Sequence, residues 1–309
     1  MENFRSHFLS DLKEMQGSIL FEPQQPSRIL DVHPSALPYC PTSFLLSFDP
    51  DLMQRQKFQG QAIMNQGTAL HSTMDRFLGR IDRAFGDFVC KDCGCVQHLK
   101  FASDFPNMRC PECGGRLHYE EVYIDYKGFV GHVDFLYNTG TKKNPKLWVV
   151  DFKSKSYSLT DPTKTDIPLN YHYQTLAYTL LLRAQYGLKI QGRAILNICR
   201  DNPSRMVLAG VHKWSKDELI QGHKDLLEQR ELYEFMLDCK SYKEWMDSIG
   251  VQRCTNQYCN FCKTYEDSEI KSLIRQKFKS FKGKSIRELV EERSSNENHN
   301  QQNRTGAAV

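Results

Sequence analysis

From Pro41 to about Arg83 apolar residues recur at helical spacing, and in LHSTMDRFLGRI the period predicts one face carrying Leu70, Met74, Phe77 and Leu78. Residues 86–118 break this pattern with paired cysteines, glycines and few aliphatics, as an inserted module would. Three runs rich in β-branched and aromatic residues follow, EEVYIDY, FVGHVDFLY and KLWVVDF, and each predicts a strand. The stretch NTGTKKNPK between the last two has turn chemistry and predicts a hairpin. A helix is expected over about Leu169–Tyr186, then strands in RAILNIC and RMVLAGVHK. Residues 215–238 predict a long helix starting near Ser215, with Asp217 and Glu218 in its first turn. This order predicts an α/β fold with a mixed central β-sheet flanked by helices.

The expected organisation is an N-terminal arm and core helices over 1–85, an insertion over 86–118 and the rest of the core over 119–265. A basic helix over 266–293 and a polar tail over 294–309, composed like a disordered segment, complete it. No apolar run approaches the roughly 20 residues of a spanning helix, and the N-terminus lacks the apolar stretch of a signal peptide. The expected compartment is the cytoplasm, with no membrane partner. A net charge of +4 decides nothing by itself, but eleven cysteines in a reducing compartment need an explanation other than disulfides. Nine stand in groups or beside a motif, which suggests metal thiolates, whereas Cys199 and Cys239 stand alone like small core hydrophobes.

The chemistry concentrates in Gly131-His132-Val133-Asp134 and Asp151-Phe152-Lys153, two acids set in otherwise apolar strand patterns. Two carboxylates brought together supply hard oxygen ligands for magnesium or manganese, and the Phe152 carbonyl can add another. Strand alternation points Asp151 and Lys153 to one face, where a lysine can orient water or stabilise phosphate charge. The same residues also fit a surface ion pair at a strand end, with Asp134 as a turn cap. His71 upstream can add a nitrogen ligand, and Gln174 and Tyr178 share a helix face at i,i+4. Glu121 fits a solvated acid better.

In chain order, His71, Gly131-x-x-Asp134, Asp151-x-Lys153 and Gln174-x-x-x-Tyr178 resemble the RecB-type branch of the PD-(D/E)XK nucleases, over roughly residues 38–262. The resemblance implies a restriction-endonuclease-like core and magnesium- or manganese-dependent phosphodiester hydrolysis. It implies His71, Asp134 and Asp151 as metal ligands and Lys153 as the water-activating residue. It associates the Gln-x-x-x-Tyr helix with exonucleases on DNA ends or single strands. Asp75 departs from the glutamate often found after the histidine.

Cys90-x-x-Cys93 and Cys110-x-x-Cys113 supply four thiolates for tetrahedral zinc; Cys95 can substitute for Cys93, and a redox dithiol or disulfides are the alternatives. Cys254, Cys259 and Cys262, with Cys40 far upstream, make a second set. That set resembles the iron–sulfur-stapled nucleases, including the CRISPR-associated exonucleases and AddB-type helicase–nucleases, in which one cysteine before the core and three after it hold a [4Fe–4S] cluster. The spacing departs from theirs, because Cys254 has to stand in for the usual last cysteine; zinc or unligated thiols fit the residues too. From Lys271 to Arg293 bases alternate with Phe278 and Phe281, which suits a phosphate backbone or an ordinary helix with two core phenylalanines.

The reading is a metal-dependent DNA exonuclease of replication, repair or recombination, with DNA and a helicase or recombination protein as partners. Its rivals are a structure-specific endonuclease, a non-catalytic zinc-ribbon DNA-binding subunit and an RNA-directed enzyme. No G-x-x-x-x-G-K-[ST] loop is present.

Overall fold

The run Leu147–Val150 is apolar at successive positions, as a strand covered on both faces must be, and it opens β9 (Leu147–Lys155), an interior strand of a seven-stranded sheet. The computed structural model describes residues 19–21, 29–48, 55–78, 80–156, 166–251, 262, 264–292 and 294–295. The sheet runs β11 (Met206–Lys213), β10 (Ile190–Cys199), β9, β8 (Phe135–Asn138), β3 (Ala84–Cys90) and β4 (Val96–Phe101), with β5 (Leu117–Glu120) also paired to β3. Only β9–β10 is parallel within it. A parallel pair needs a crossover, and helix α3 (Leu169–Tyr186) supplies it. The helix ends where Gly187 turns left-handed and returns its N–H to the Leu182 and Arg183 carbonyls. The fold is therefore a mixed, mostly antiparallel central sheet flanked by helices.

Two compact units make up the chain, one of residues 33–37 and 60–226, the other of 1–32, 38–59 and 227–309. The first holds the sheet, most of helix α2 (Phe58–Leu78), and the hairpin of β6 (Val122–Tyr126) and β7 (Phe129–Val133). One core cluster joins Leu70 and Met74 of α2 to Phe135, Val150 and Phe152 of the sheet and to Phe88, Phe105, Leu117 and Tyr119 of the cysteine-rich segment. Tyr119 ties these parts further, donating its hydroxyl to the Phe85 carbonyl and accepting the Leu136 N–H.

In the second unit β1 (Ile19–Phe21) pairs with β2 (Arg55–Lys57), and α1 (Pro41–Ser47) and α5 (Tyr242–Ser248) pack on α6 (Asp267–Phe281). Ile270, Ile274, Phe278 and Phe281 form the buried stripe of α6, so its two phenylalanines serve the core. Arg287 pairs with Glu234 and Asp238, and Lys284 with Glu292. Helix α4 (Lys216–Asp238) begins in one unit and ends in the other; Ser215 and Glu218 cap its start reciprocally.

Three expectations are corrected. The helical stretch from Pro41 is not continuous, since β2 pairs with β1 between α1 and α2. Phe77 is 62% exposed, because α2 closes at Leu78, one residue on; the side chains of Asp75 and Leu78 lie outside the described residues. FVGHVDFLY is two strands, not one: β7 turns back on β6 while β8 joins β9, and the chain changes sheet at Asp134. The hairpin through 139–146 is present between β8 and β9. Among the described residues no helix is long and apolar enough to cross a membrane.

Candidate metal and nuclease centre

Lys127 and Gly128, at φ 50° and 80°, make a two-residue turn of the kind that matches strand twist, and it fixes the β6–β7 register from Tyr126↔Phe129 to Val122↔Val133. One residue beyond the last pair stand Glu121 and Asp134. On the other side of Asp134 the β8–β9 ladder begins at Phe135↔Val150, so the next facing position to Asp134 is Asp151. Two hairpins thus share one aspartate and set two further acids, Glu121 and Asp151, in the positions facing it. Like charges in facing positions repel, and a cation is what relieves them.

Helix α2 adds His71, whose Nδ1 lies 3.7 Å from Asp134 Oδ1 and 3.8 Å from Glu121 Oε1. Its ring stands edge-on to Phe152, 5.6 Å between centroids. His71, Glu121 and Asp134 each offer a ligand atom within 4.8 Å of the others, a set that could hold a metal ion. Glu121, expected as a solvated acid, is instead part of this set. The signal that finds it is the Lys127-Gly128 turn, from which counting back along both strands sets Glu121 opposite Asp134.

The electrostatics fit a hard divalent cation. Burial, then the Asp151 charge, pushes the Asp134 carboxyl up to about 8. Its Oδ2 accepts the Phe152 N–H at 2.5 Å. Asp151 is 1% exposed, and its Oδ1 is buried without a hydrogen-bond partner among the described residues. Lys153 Nζ lies 2.8 Å from Asp151 Oδ2. Burial works against the Lys153 ammonium, but Asp151 and Asp134 outweigh it and hold its pKa above the ordinary lysine value. The His71 pKa is lowered by burial and raised more by Glu121 and Asp134. Lys153 Nζ also donates to Gln174 Oε1 at 3.1 Å, and Gln174 Nε2 to the Tyr178 hydroxyl at 3.3 Å. Gly131 makes room for that tyrosine, since a Cβ there would stand 3.1 Å from its ring.

The expected residues His71, Asp134, Asp151, Lys153, Gln174 and Tyr178 are thus brought to one place.

A model of the PD-(D/E)XK nuclease superfamily matches residues 106–266, just over half of the 309 residues. The chain belongs to this superfamily. Its members are phosphodiesterase nucleases, which require a divalent metal, and DNA is the substrate the family implies. An adenylate kinase of Symbiobacterium thermophilum is 30% identical over 88 residues, 27% of this chain and 40% of that protein. The chain therefore spans well under half the length of that relative.

The four cysteines of the inserted segment, which have zinc-ribbon spacing, converge as well. Cys90 Sγ lies 3.5 Å from Cys113 Sγ and Cys93 Sγ 3.7 Å from Cys110 Sγ, a group able to hold zinc or an iron–sulfur centre. The two knuckles repeat one geometry. Gly94 and Gly114 are left-handed at φ 74° and 72°, and their N–H groups donate to the carbonyls of Cys90 and Cys110. Cys95 Sγ is 3.1 Å from Cys110 Sγ. In the other unit Cys40 and Cys262 lie 3.5 Å apart, sulfur to sulfur; Cys254 and Cys259 lie outside the described residues.

Proposed function

We propose that the chain is a magnesium- or manganese-dependent deoxyribonuclease, an exonuclease on single-stranded or end-exposed DNA in replication, repair or recombination. The observation that carries this reading is the buried acid group around Asp134 with the Lys153 ammonium against it. In this proposal His71, Asp134 and Asp151 hold the ion, joined by Glu121 and the Phe152 carbonyl. When bound, the ion supplies Lewis-acid charge for the phosphoryl group and acidifies the attacking water.

Lys153, held 2.8 Å from Asp151, orients the attacking water and donates to a phosphoryl oxygen as its charge develops. Gln174 and Tyr178 hold the lysine in line through their two hydrogen bonds. Water's oxygen bonds to phosphorus, the bond to the leaving oxygen breaks, and a proton ends on that oxygen. The Gln-x-x-x-Tyr helix, as in the RecB-type branch, favours exonuclease action, and through that resemblance a helicase or recombination protein is the expected partner. Zinc on Cys90, Cys93, Cys110 and Cys113, a [4Fe–4S] cluster on Cys40, Cys254, Cys259 and Cys262, and a cytoplasmic setting complete the proposal.

The deciding experiment offers the purified full chain labelled single- and double-stranded DNA, either end blocked, with magnesium, manganese or EDTA. Stepwise release from an open end, stopped by EDTA and reduced at least roughly 100-fold in Asp151→Ala and Lys153→Ala, is expected. Full activity in either folded variant removes the assigned centre. Internal cuts in end-blocked strands make it an endonuclease.

A further inference from the structure

A cavity of about 610 Å³ opens beside the metal centre, with His71 and Glu121 in its wall. It is bounded by α2, by β5 of the ribbon and by the β6–β7 hairpin, all within one unit. Arg76, from α2, and Lys91, between the first pair of ribbon cysteines, are exposed on its lining. They converge with Arg116 on His118, whose pKa is lowered by burial and then by the charges of Lys91, Arg116 and Arg76. Glu120 and Glu121 are the lining acids, and Glu121 belongs to the metal group. Tyr123 and His132 face each other across the hairpin, rings 5.1 Å apart, and Tyr123 is 42% exposed. The cavity thus combines cations from two separate segments, an aromatic pair and the metal ligands.

Each part matches one component of a nucleic-acid strand. Cations track phosphates, and an aromatic face stacks any base without reading its sequence. The volume falls in the range of pockets that enclose small-molecule ligands, on the order of one or two nucleotides. In a duplex the bases are paired and stacked on one another, so only an unpaired strand offers a free base face to Tyr123.

We propose that this cavity is the strand-binding subsite of the enzyme, and that it takes single-stranded DNA with a base stacked on Tyr123 and His132 and the neighbouring phosphates against Arg76 and Lys91. The inference rests on the nuclease reading for the identity of the polymer. It gives the cysteine-rich segment a part in substrate binding beyond that of a staple, because Lys91 reaches the phosphates only while its knuckle is folded.

The test measures binding apart from cleavage. A fluorescein-labelled, phosphorothioate-linked oligothymidylate about twelve nucleotides long, within usual single-strand site sizes, is titrated with the full metal-replete chain over a range of salt. Removing both cations, in Arg76→Gln with Lys91→Gln, lowers the slope of log affinity against log salt by about 1.4, two contacts at about 0.7 each. Tyr123→Ala weakens binding roughly 5- to 150-fold, and Tyr123→Phe restores it. Lys100→Gln, a ribbon lysine absent from the cavity lining, leaves both quantities unchanged. The same oligonucleotide in a duplex binds more weakly.

Zinc content and melting temperature establish that each variant is folded; if the double variant is not, Arg76→Gln alone lowers the slope by about 0.7. A folded double variant with wild-type affinity and slope overturns the proposal, as does a duplex bound as tightly as the single strand. Wild-type protein that shows these binding dependences but cleaves no DNA removes the nuclease reading and keeps the subsite. Cleavage with unaltered binding in the variants removes the subsite alone.

Discussion

Replacing Cys110 and Cys113 with serine separates a ribbon that is a detachable staple from one that is part of the nuclease core. Phe88, Phe105, Leu117 and Tyr119 lie on the cysteine-rich segment, are at most 8% exposed, and share one cluster with Met74 and Phe152. Burying such a side chain contributes about 1.5–3 kcal/mol, so the four together account for about 6–12 kcal/mol. That is comparable to the whole stability of a domain, about 5–15 kcal/mol. Loss of the metal should therefore not stop at residue 116: β5 runs directly into Glu121, and β3 is shared with the main sheet. We expect the double variant to lose one zinc per chain by elemental analysis and to melt at least roughly 12 °C lower. Hydrogen exchange should quicken in β5 and β8 as well as in the knuckles, and cleavage should fall through unfolding. A variant that has lost its zinc yet melts within a few degrees of wild type refutes the shared-core argument. Faster exchange confined to 90–116 refutes it too, and makes the ribbon an independent module.

Two further perturbations probe the other sites. Glu121→Gln removes a charge from the group around Asp134, and the metal concentration for half-maximal cleavage should rise at least about tenfold, with kcat at saturating metal changed less; an unchanged metal curve excludes Glu121 as a ligand. Cys259→Ser should bleach an otherwise brown anaerobic preparation and lower its melting temperature, because metal-binding free energy is then part of folding free energy and the joined residues, 40 and 262, enclose most of the chain. A colourless wild-type preparation with a second zinc and no iron replaces the cluster with zinc, and one with neither metal there ends the second site.

Much of the fold is legible locally. The bounds of α3 follow from its period and from Gly187 at its end, and the start of α4 from Ser215 and Glu218, three apart as reciprocal capping requires. The two knuckles follow from cysteine spacing and the glycine after each pair. Phe77 misleads because helical periodicity continues to the last residue of a helix, whereas contact with the core does not. The break at Asp134 has only a weak local signal: Gly131 and Asp134 are poor strand formers within an otherwise strand-like FVGHVDFLY, and pairing with two different neighbours is what divides it.

That break explains why the centre stands where it does. A continuous strand would give Asp134 one set of facing neighbours on its β6 side and leave its carboxylate on one face of a single sheet. Because the chain changes sheet there, Asp134 lies at the open end of both ladders, next to Val122↔Val133 and to Phe135↔Val150, and the facing positions hold Glu121 and Asp151. The Phe152 N–H then binds its Oδ2 and leaves Oδ1 toward His71. Without a cation the crowding of three acids is relieved by proton uptake, since burial and the Asp151 charge lift Asp134 to about 8. The arrangement is consistent with a fold specified for its metal-bound state, in which the ion offsets the repulsion that the two hairpins impose.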